Sequence, residues 1–375
     1  MSSIDDLRKL STAPPTGWTP GLQWDGTTGH VTAPPMPAGE APSDDTWDHV
    51  LERFGLDPSR YMIEGSVRQS VWEVPGHDPQ TSYRARIVER PERSFEIEDL
   101  LEGIYAKKTH HPDPRSGWRT IMLSDQHIGK SAEDGGGSDK IVKRWQESVA
   151  KALEGGPFKG INLVFGGDTI EGYVSQHGKN IAGCDLTLTE QIRVASHLVI
   201  DTIQQCLQNA NRVVVATVPG NHSESTRQAN VSMTDSHDLQ IVHAAQQAID
   251  LAGLGEAVNF YYPNEATGDV TYDAGNTTYT VVHGHKFRGG PVKGAESWWA
   301  GQITNDRPAA ASDILLFGHF HGFRAWSFTA RRWIMSAPSL EDQSTWFANS
   351  TGASSWPGAL VFDVNNRKPE KIGVV

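Results

Sequence analysis

The chain has only two cysteines, Cys184 and Cys206, and they are not spaced as CxxC. That excludes a disulfide framework and a thiolate zinc site, and it fits a reducing compartment. No apolar run of about eighteen residues occurs, so no segment reads as a membrane-spanning helix and no membrane partner is expected. The start, Met1-Ser-Ser-Ile-Asp-Asp, lacks a basic stretch followed by an apolar one, so a cytoplasmic location is expected rather than secretion. Basic residues are in the minority, with 33 Lys and Arg against 45 Asp and Glu, a net charge of -12 over 375 residues. A protein that coats nucleic acid by bulk electrostatics needs the opposite balance. A local site made positive by bound metal is still compatible with it. No internal repeat is visible, which excludes a solenoid.

Glycine (37), proline (21) and histidine (15) are well represented. Residues 1–43 carry much of the Pro, Gly, Thr and Ala and read as an extended arm. Asp44 to Phe54 reads as a short helix with Trp47, Val50, Leu51 and Phe54 on one face. Two strand-like runs, 61–75 and 82–90, and a helix from Ser94 to Ala106 complete a small α+β module. Residues 44–117 comprise that module and a linker from His110 to Gly117. From 118 to 375 short apolar runs alternate with helical patterns near 138–153, 187–209 and 237–252. A part rich in strands follows, with runs at 278–283, 313–317, 323–329, 332–336 and 358–364. This order points to a layered α/β sandwich.

Five polar clusters each follow a strand-like run. They are Ser124-Asp125-Gln126-His127, Gly166-Gly167-Asp168, Pro219-Gly220-Asn221-His222, His283-Gly284-His285 and Gly318-His319-Phe320-His321. In α/β sheets the crevice beyond the carboxyl ends of the strands is where ligands bind, so the five can converge. Mixed Asp, Asn and His donors suit transition metals better than Mg or Ca, which prefer all-oxygen shells. One DxH or HxH pair is common on any surface; the ordered set is not.

The series Asp125-x-His127, Gly167-Asp168, Gly220-Asn221-His222, His283-Gly284 and Gly318-His319-x-His321 resembles the calcineurin-like metallophosphoesterase superfamily. The resemblance spans about 119–336 and implies a four-layer sandwich of two mixed sheets flanked by helices. It also implies one divalent ion on Asp125, His127, Asp168 and His321, and a second on Asp168, Asn221, His283 and His319. Manganese is expected there, with iron, zinc or nickel as alternatives. His222 would stand beside the metals as the catalytic acid. The activity implied is a dinuclear-metal-dependent hydrolase of phosphate esters, using in-line attack of a metal-bridging hydroxide.

Protein phosphatases of this superfamily carry arginines beside the second and third motifs. Here those stretches read Gly167-Asp168-Thr169-Ile170-Glu171 and Gly220-Asn221-His222-Ser223, so protein substrates are disfavoured. The nearer resemblance is to the SbcD/Mre11 exonuclease-like branch and to phage-encoded metallophosphoesterases, through Ala337-Pro338-Ser339-Leu340 and Trp346-Phe347 as well as the motifs. A phage origin would place the protein in the host cytoplasm. A phosphodiesterase or nuclease acting on DNA or RNA is the leading expectation. A small-molecule phosphoesterase and a non-catalytic scaffold stay open. His177, Asn180, Lys286 and Arg288 are candidate substrate contacts. Trp298 and Trp299 are candidates for base stacking, with core packing the alternative. Trp72, Tyr83, Arg84 and Arg86 fit either a binding surface or a strand pair with one packed face.

Overall fold

The computed structural model describes residues 21–24, 28–33, 36–37, 43–72, 80–89, 95–105, 116–131, 136–228, 231–264, 266–341 and 356–375. They form two compact units that divide near residue 91.

The smaller unit is an antiparallel sheet with one helix. Its elements are β1 (Leu22–Trp24), β2 (Thr28–Thr32), β3 (Met36–Pro37), α1 (Asp44–Arg53), β4 (Tyr61–Trp72) and β5 (Gln80–Glu89). β5 lies at its centre, paired with β2, β3 and β4. Alternation along β5 buries Tyr83, Ala85 and Ile87 against Val31 and against Trp47, Val50 and Leu51 of α1. Arg84 and Arg86 take the other face, where Arg86 meets Glu64 at 2.6 Å. Tyr83 is therefore a core residue; the Trp72 side chain lies outside the described residues. Residues 22–37, expected in an extended arm, instead supply three strands. Segments of three, five and two residues between Pro and Gly carry almost no local pattern; β2 and β3 pair with β5, and β1 pairs with β2.

The larger unit begins with α2 (Ile97–Tyr105). The expected module of 44–117 would have included it. Ile97 and Leu101 are buried in the larger unit's core, and Glu98 meets Arg193 at 2.9 Å. Most of the expected linker at 110–117, and Trp346-Phe347, lie outside the described residues. Next come β6 (Ser116–Leu123), α3 (Ser138–Ala152), β7 (Phe158–Phe165), α4 (Leu188–Asn209), β8 (Val213–Thr217), α5 (His237–Leu251) and β9 (Val258–Tyr261). β6 to β9 are parallel neighbours in that order. β15 (Leu360–Asn365) and β16 (Lys368–Val374) extend this sheet antiparallel beyond β6. A second sheet has the order β10 (Val270–Ala274), β11 (Thr277–Val282), β12 (Ile314–Phe317), β14 (Arg332–Ser336), β13 (Arg324–Thr329).

Strand alternation sorts the core into layers. Ile121, Leu123, Leu163, Phe165, Val213 and Val215 face α3, α4 and α5. Met122, Val164 and Val214 face the other way, onto Tyr279, Val281, Ile314 and Leu316 of the second sheet. The far side of that sheet, Leu315, Phe317 and Ile334, packs on Ala295 and Trp299 of α6 (Pro291–Thr304). Helices, mixed sheet, mixed sheet, helix: the expected four-layer sandwich is present. Trp299 is buried, donating its indole N–H to Ala309 O at 2.8 Å, so it packs rather than stacks on a ligand. Among the described residues no helix is long and apolar enough to cross a membrane.

Candidate metal centre

All five clusters stand at the carboxyl ends of parallel strands: β6, β7 and β8 in one sheet, β11 and β12 in the other. The two sheets face each other, so those ends meet at one edge. Hydrogen bonds join them there. The His319 amide donates to Asp125 Oδ2 at 2.9 Å, and the His283 ring nitrogen Nδ1 lies 2.8 Å from Gly166 O.

The backbone at the clusters is unusual. Asp125, His127, Asp168, His319 and His321 all have positive φ, between 49° and 65°. Non-glycine residues rarely adopt that region, at a cost of about 1–3 kcal/mol each when strained, and such strain gathers at functional sites. The turns after β6, β7 and β12 thus swing a side chain back over the sheet edge. Two glycines permit the crowding. A Cβ at Gly318 would stand 1.9 Å from Ser124 Oγ, and one at Gly220 would stand 2.0 Å from Asp168 Oδ1.

The seven side chains expected as ligands come together. Asp125, His127 and His321 form one group of converging donors; Asp168, His283 and His319 form another. His127 Nε2 lies 3.4 Å from His321 Nε2, which lies 3.4 Å from Asp125 Oδ1. His283 Nε2 lies 2.9 Å from Asp168 Oδ2 and 3.3 Å from Asn221 Oδ1. Asp125, His127, Asp168 and His283 are each no more than 1% exposed.

Three imidazoles are oriented from behind. His127 Nδ1 donates to Glu171 Oε2 at 3.0 Å and His283 Nδ1 to Gly166 O, and His321 Nδ1 lies 2.9 Å from Glu341 Oε1. With Nδ1 as the donor, each Nε2 is left to point inward. His127 Nε2 and His321 Nε2 then face each other beside the Asp125 carboxylate, a place for a proton or a cation. That donor set fits transition-metal ions.

The charges agree. Burial pushes His321 down, but Asp125 and Glu341 outweigh it and hold the ring up at about 10. His283 is held at about 9, its burial outweighed by Asp168 and then Asp125. Burial, followed by the charge of His283, keeps His319 down at about 4, neutral and able to coordinate. Burial raises the Asp125 and Asp168 carboxyls, yet their histidine neighbours bring both well below the usual range.

Three carboxylates that the sequence did not single out complete the centre. Glu171 Oε2 contacts His222 Nδ1 at 3.1 Å as well as His127, and the His222 ring stands edge-on to His127 at 4.5 Å. Glu341 pairs with buried Lys130 at 2.5 Å while holding His321. Asp238, in the first turn of α5, accepts from the amides of Asp168 (3.1 Å), Thr169 (2.9 Å) and Gly220 (2.8 Å), tying the second and third clusters together. A carboxylate three residues after Asp168 is the only local clue to Glu171; the other two act across 18 to 211 positions of chain and leave none.

The expected substrate contacts divide. Asn180 is buried and faces inward, donating to Glu171 Oε1 at 3.1 Å and Gly172 O at 2.9 Å, so it supports the centre rather than touching substrate. His177, Lys286 and Arg288 are exposed. Lys286 lines a cleft of ≈ 570 Å³ that Asn221 and His319 also line; His177 and Arg288 do not line it.

No family model matches the chain. No curated protein matches it either. Among solved structures the chain is similar to a dimetal phosphatase from Danio rerio, at 11% identity and TM-score 0.35, over 68% of this chain and 94% of that one. It is also similar to the purple acid phosphatase PPD1 from yellow lupin seeds, at 11% identity and TM-score 0.34, over 93% and 70%. Zinc-complexed Vps29 from Entamoeba histolytica follows at 12% identity and TM-score 0.29, over 66% and 87%.

Proposed function

We propose that the chain is a metallophosphoesterase of the calcineurin-like kind, holding two divalent transition-metal ions and hydrolysing phosphodiesters, foremost those of DNA or RNA. The observation that carries this is the pair of inward-facing donor groups at one sheet edge, three of their four imidazoles held from behind by an oxygen. Asp125, His127 and His321 would hold one ion and Asn221, His283 and His319 the other, with Asp168 between them. When bound, such ions supply positive charge that clamps phosphoryl oxygens and activates water.

The chain's own groups do the rest. Asp238 and the two glycine approaches fix the loops before substrate arrives, so little reorganisation is needed during reaction. His222 is the proton donor. Burial disfavours its charged form, but Glu171 and Asp168 outweigh that and raise its pKa, which favours the protonated ring. Glu171 engages Nδ1, which leaves Nε2–H to protonate the departing alkoxide.

Hydrolysis of bis(p-nitrophenyl) phosphate with added manganese tests the reading. Asp168→Asn is expected to abolish turnover. His222→Asn is expected to cost about 10²–10⁴ on an alkyl-ester substrate and far less on the nitrophenyl diester, whose leaving group needs no proton. Equal activity of Asp168→Asn and the parent would sink it.

A further inference from the structure

Two stretches of chain wall the cleft beside the centre: Pro219, Asn221, Arg227, Val231 and Met233 belong to the one that follows β8, His285 and Lys286 to the one that follows β11, with His319 beyond β12. At ≈ 570 Å³ it is in the size range of small-molecule sites, enough for one nucleotide. Asn221 and His319 belong to the proposed metal centre as well as to the cleft lining, so a phosphodiester held at the centre would extend one of its arms into this space.

The charges along the cleft are unevenly satisfied. Arg227 Nε contacts Glu224 at 3.1 Å, and its Nη2 donates to Asn221 O at 2.8 Å, so it braces the Asn221 turn. Asp235 is exposed at the rim. Lys286 has no carboxylate partner among the described residues. Its ammonium donates to Met233 Sδ at 2.8 Å, and a thioether is a weak acceptor that a phosphate oxygen would readily replace. His285 Nδ1, on the same wall, is buried without a hydrogen-bond partner among the described residues. A polar atom left that way in a cleft is suited to a ligand's hydroxyl or carbonyl.

Resting on the phosphodiesterase reading above, we propose that this cleft is the subsite for the neighbouring nucleotide of a single strand. Lys286 receives the next phosphate along, and Pro219, Val231 and Met233 receive the base. The apolar contacts present no fixed pattern of donors and acceptors to a base edge, so binding depends on strand charge and not on sequence.

Fluorescence anisotropy with a fluorescein-labelled phosphorothioate tetrathymidylate, on the full chain with manganese, reads the subsite without requiring turnover. Lys286→Ala is expected to weaken Kd about tenfold, the scale of one hydrogen bond to a charged group. It is also expected to flatten the slope of log Kd against log salt by about 0.7, the value for one phosphate contact on a single strand. Lys286→Arg should keep both quantities near the parent values, and Met233→Glu should weaken binding further by placing a carboxylate beside the ammonium. A parent-like Kd and salt slope in Lys286→Ala would overturn the assignment, as would failure of the parent chain to bind the strand. Strand binding with these dependences but no diester hydrolysis would leave the subsite standing and remove the phosphoesterase reading. Hydrolysis with a salt slope indifferent to Lys286 would do the reverse.

Discussion

Replacing Asp238 by alanine should cost more stability than any change to the metal-facing side chains. The carboxylate is 1% exposed and accepts three backbone amides, at 2.8, 2.9 and 3.1 Å. Each buried N–H left without an acceptor costs about 1–3 kcal/mol. Two effects reduce the sum. A water can enter the space left by the carboxylate, and removing its charge relieves repulsion with Asp168, which together with burial raises the Asp238 pKa. A net loss of about 3–5 kcal/mol remains, a large share of the 5–15 kcal/mol typical of a folded domain. Asp238→Asn keeps one oxygen acceptor and should lose roughly half as much. Urea unfolding with chelator present, followed separately for each variant, measures both without any contribution from bound metal. Asp238→Ala within about 1 kcal/mol of the parent would show that the three amides find other partners, and the bracing role would be wrong.

Glu341→Gln weakens the hold on His321 Nδ1 and breaks the pair with Lys130, so manganese affinity should fall about 10–100-fold; titration calorimetry checks it. Metal binding should release protons, because His321 at about 10 and His283 at about 9 are both protonated at neutral pH and must give up a proton to coordinate. Their folded pKa values are raised, so the charged form prevails at low pH and competes with metal. Affinity therefore rises as pH increases towards 9, by up to about tenfold per pH unit for each proton displaced, and a pH series of metal titrations reads the slope.

Much of the large unit was legible in the sequence. Runs such as Leu163-Val164-Phe165 and Val213-Val214-Val215 mark strands buried on both faces, and the cluster after each run marks the active edge. α4 announces itself with Thr187 and Glu190, whose side chains cap its start reciprocally. α6 went unread because Gly294, Gly301 and adjacent Trp298-Trp299 blur its apolar stripe. β1 to β3 are too short to carry alternation and exist through pairing, β2 and β3 with β5 and β1 with β2. The seven inward-facing side chains could be named from the resemblance that their motifs carry, whereas their supports could not. Glu341 reads as one more polar residue after a strand, and Asp238 as an ordinary acidic residue in a helix's first turn. Asn180 looked like a substrate contact because its sequence says nothing about which way its loop folds. Only the tertiary structure turns its amide onto Glu171.

The central claim is that two cations sit among Asp125, His127, Asp168, Asn221, His283, His319 and His321. Elemental analysis of the full chain, saturated with manganese and then desalted, should find two ions per chain in the parent and at most one in Asp168→Ala. No metal in the parent, or two ions still bound in the variant, would contradict it.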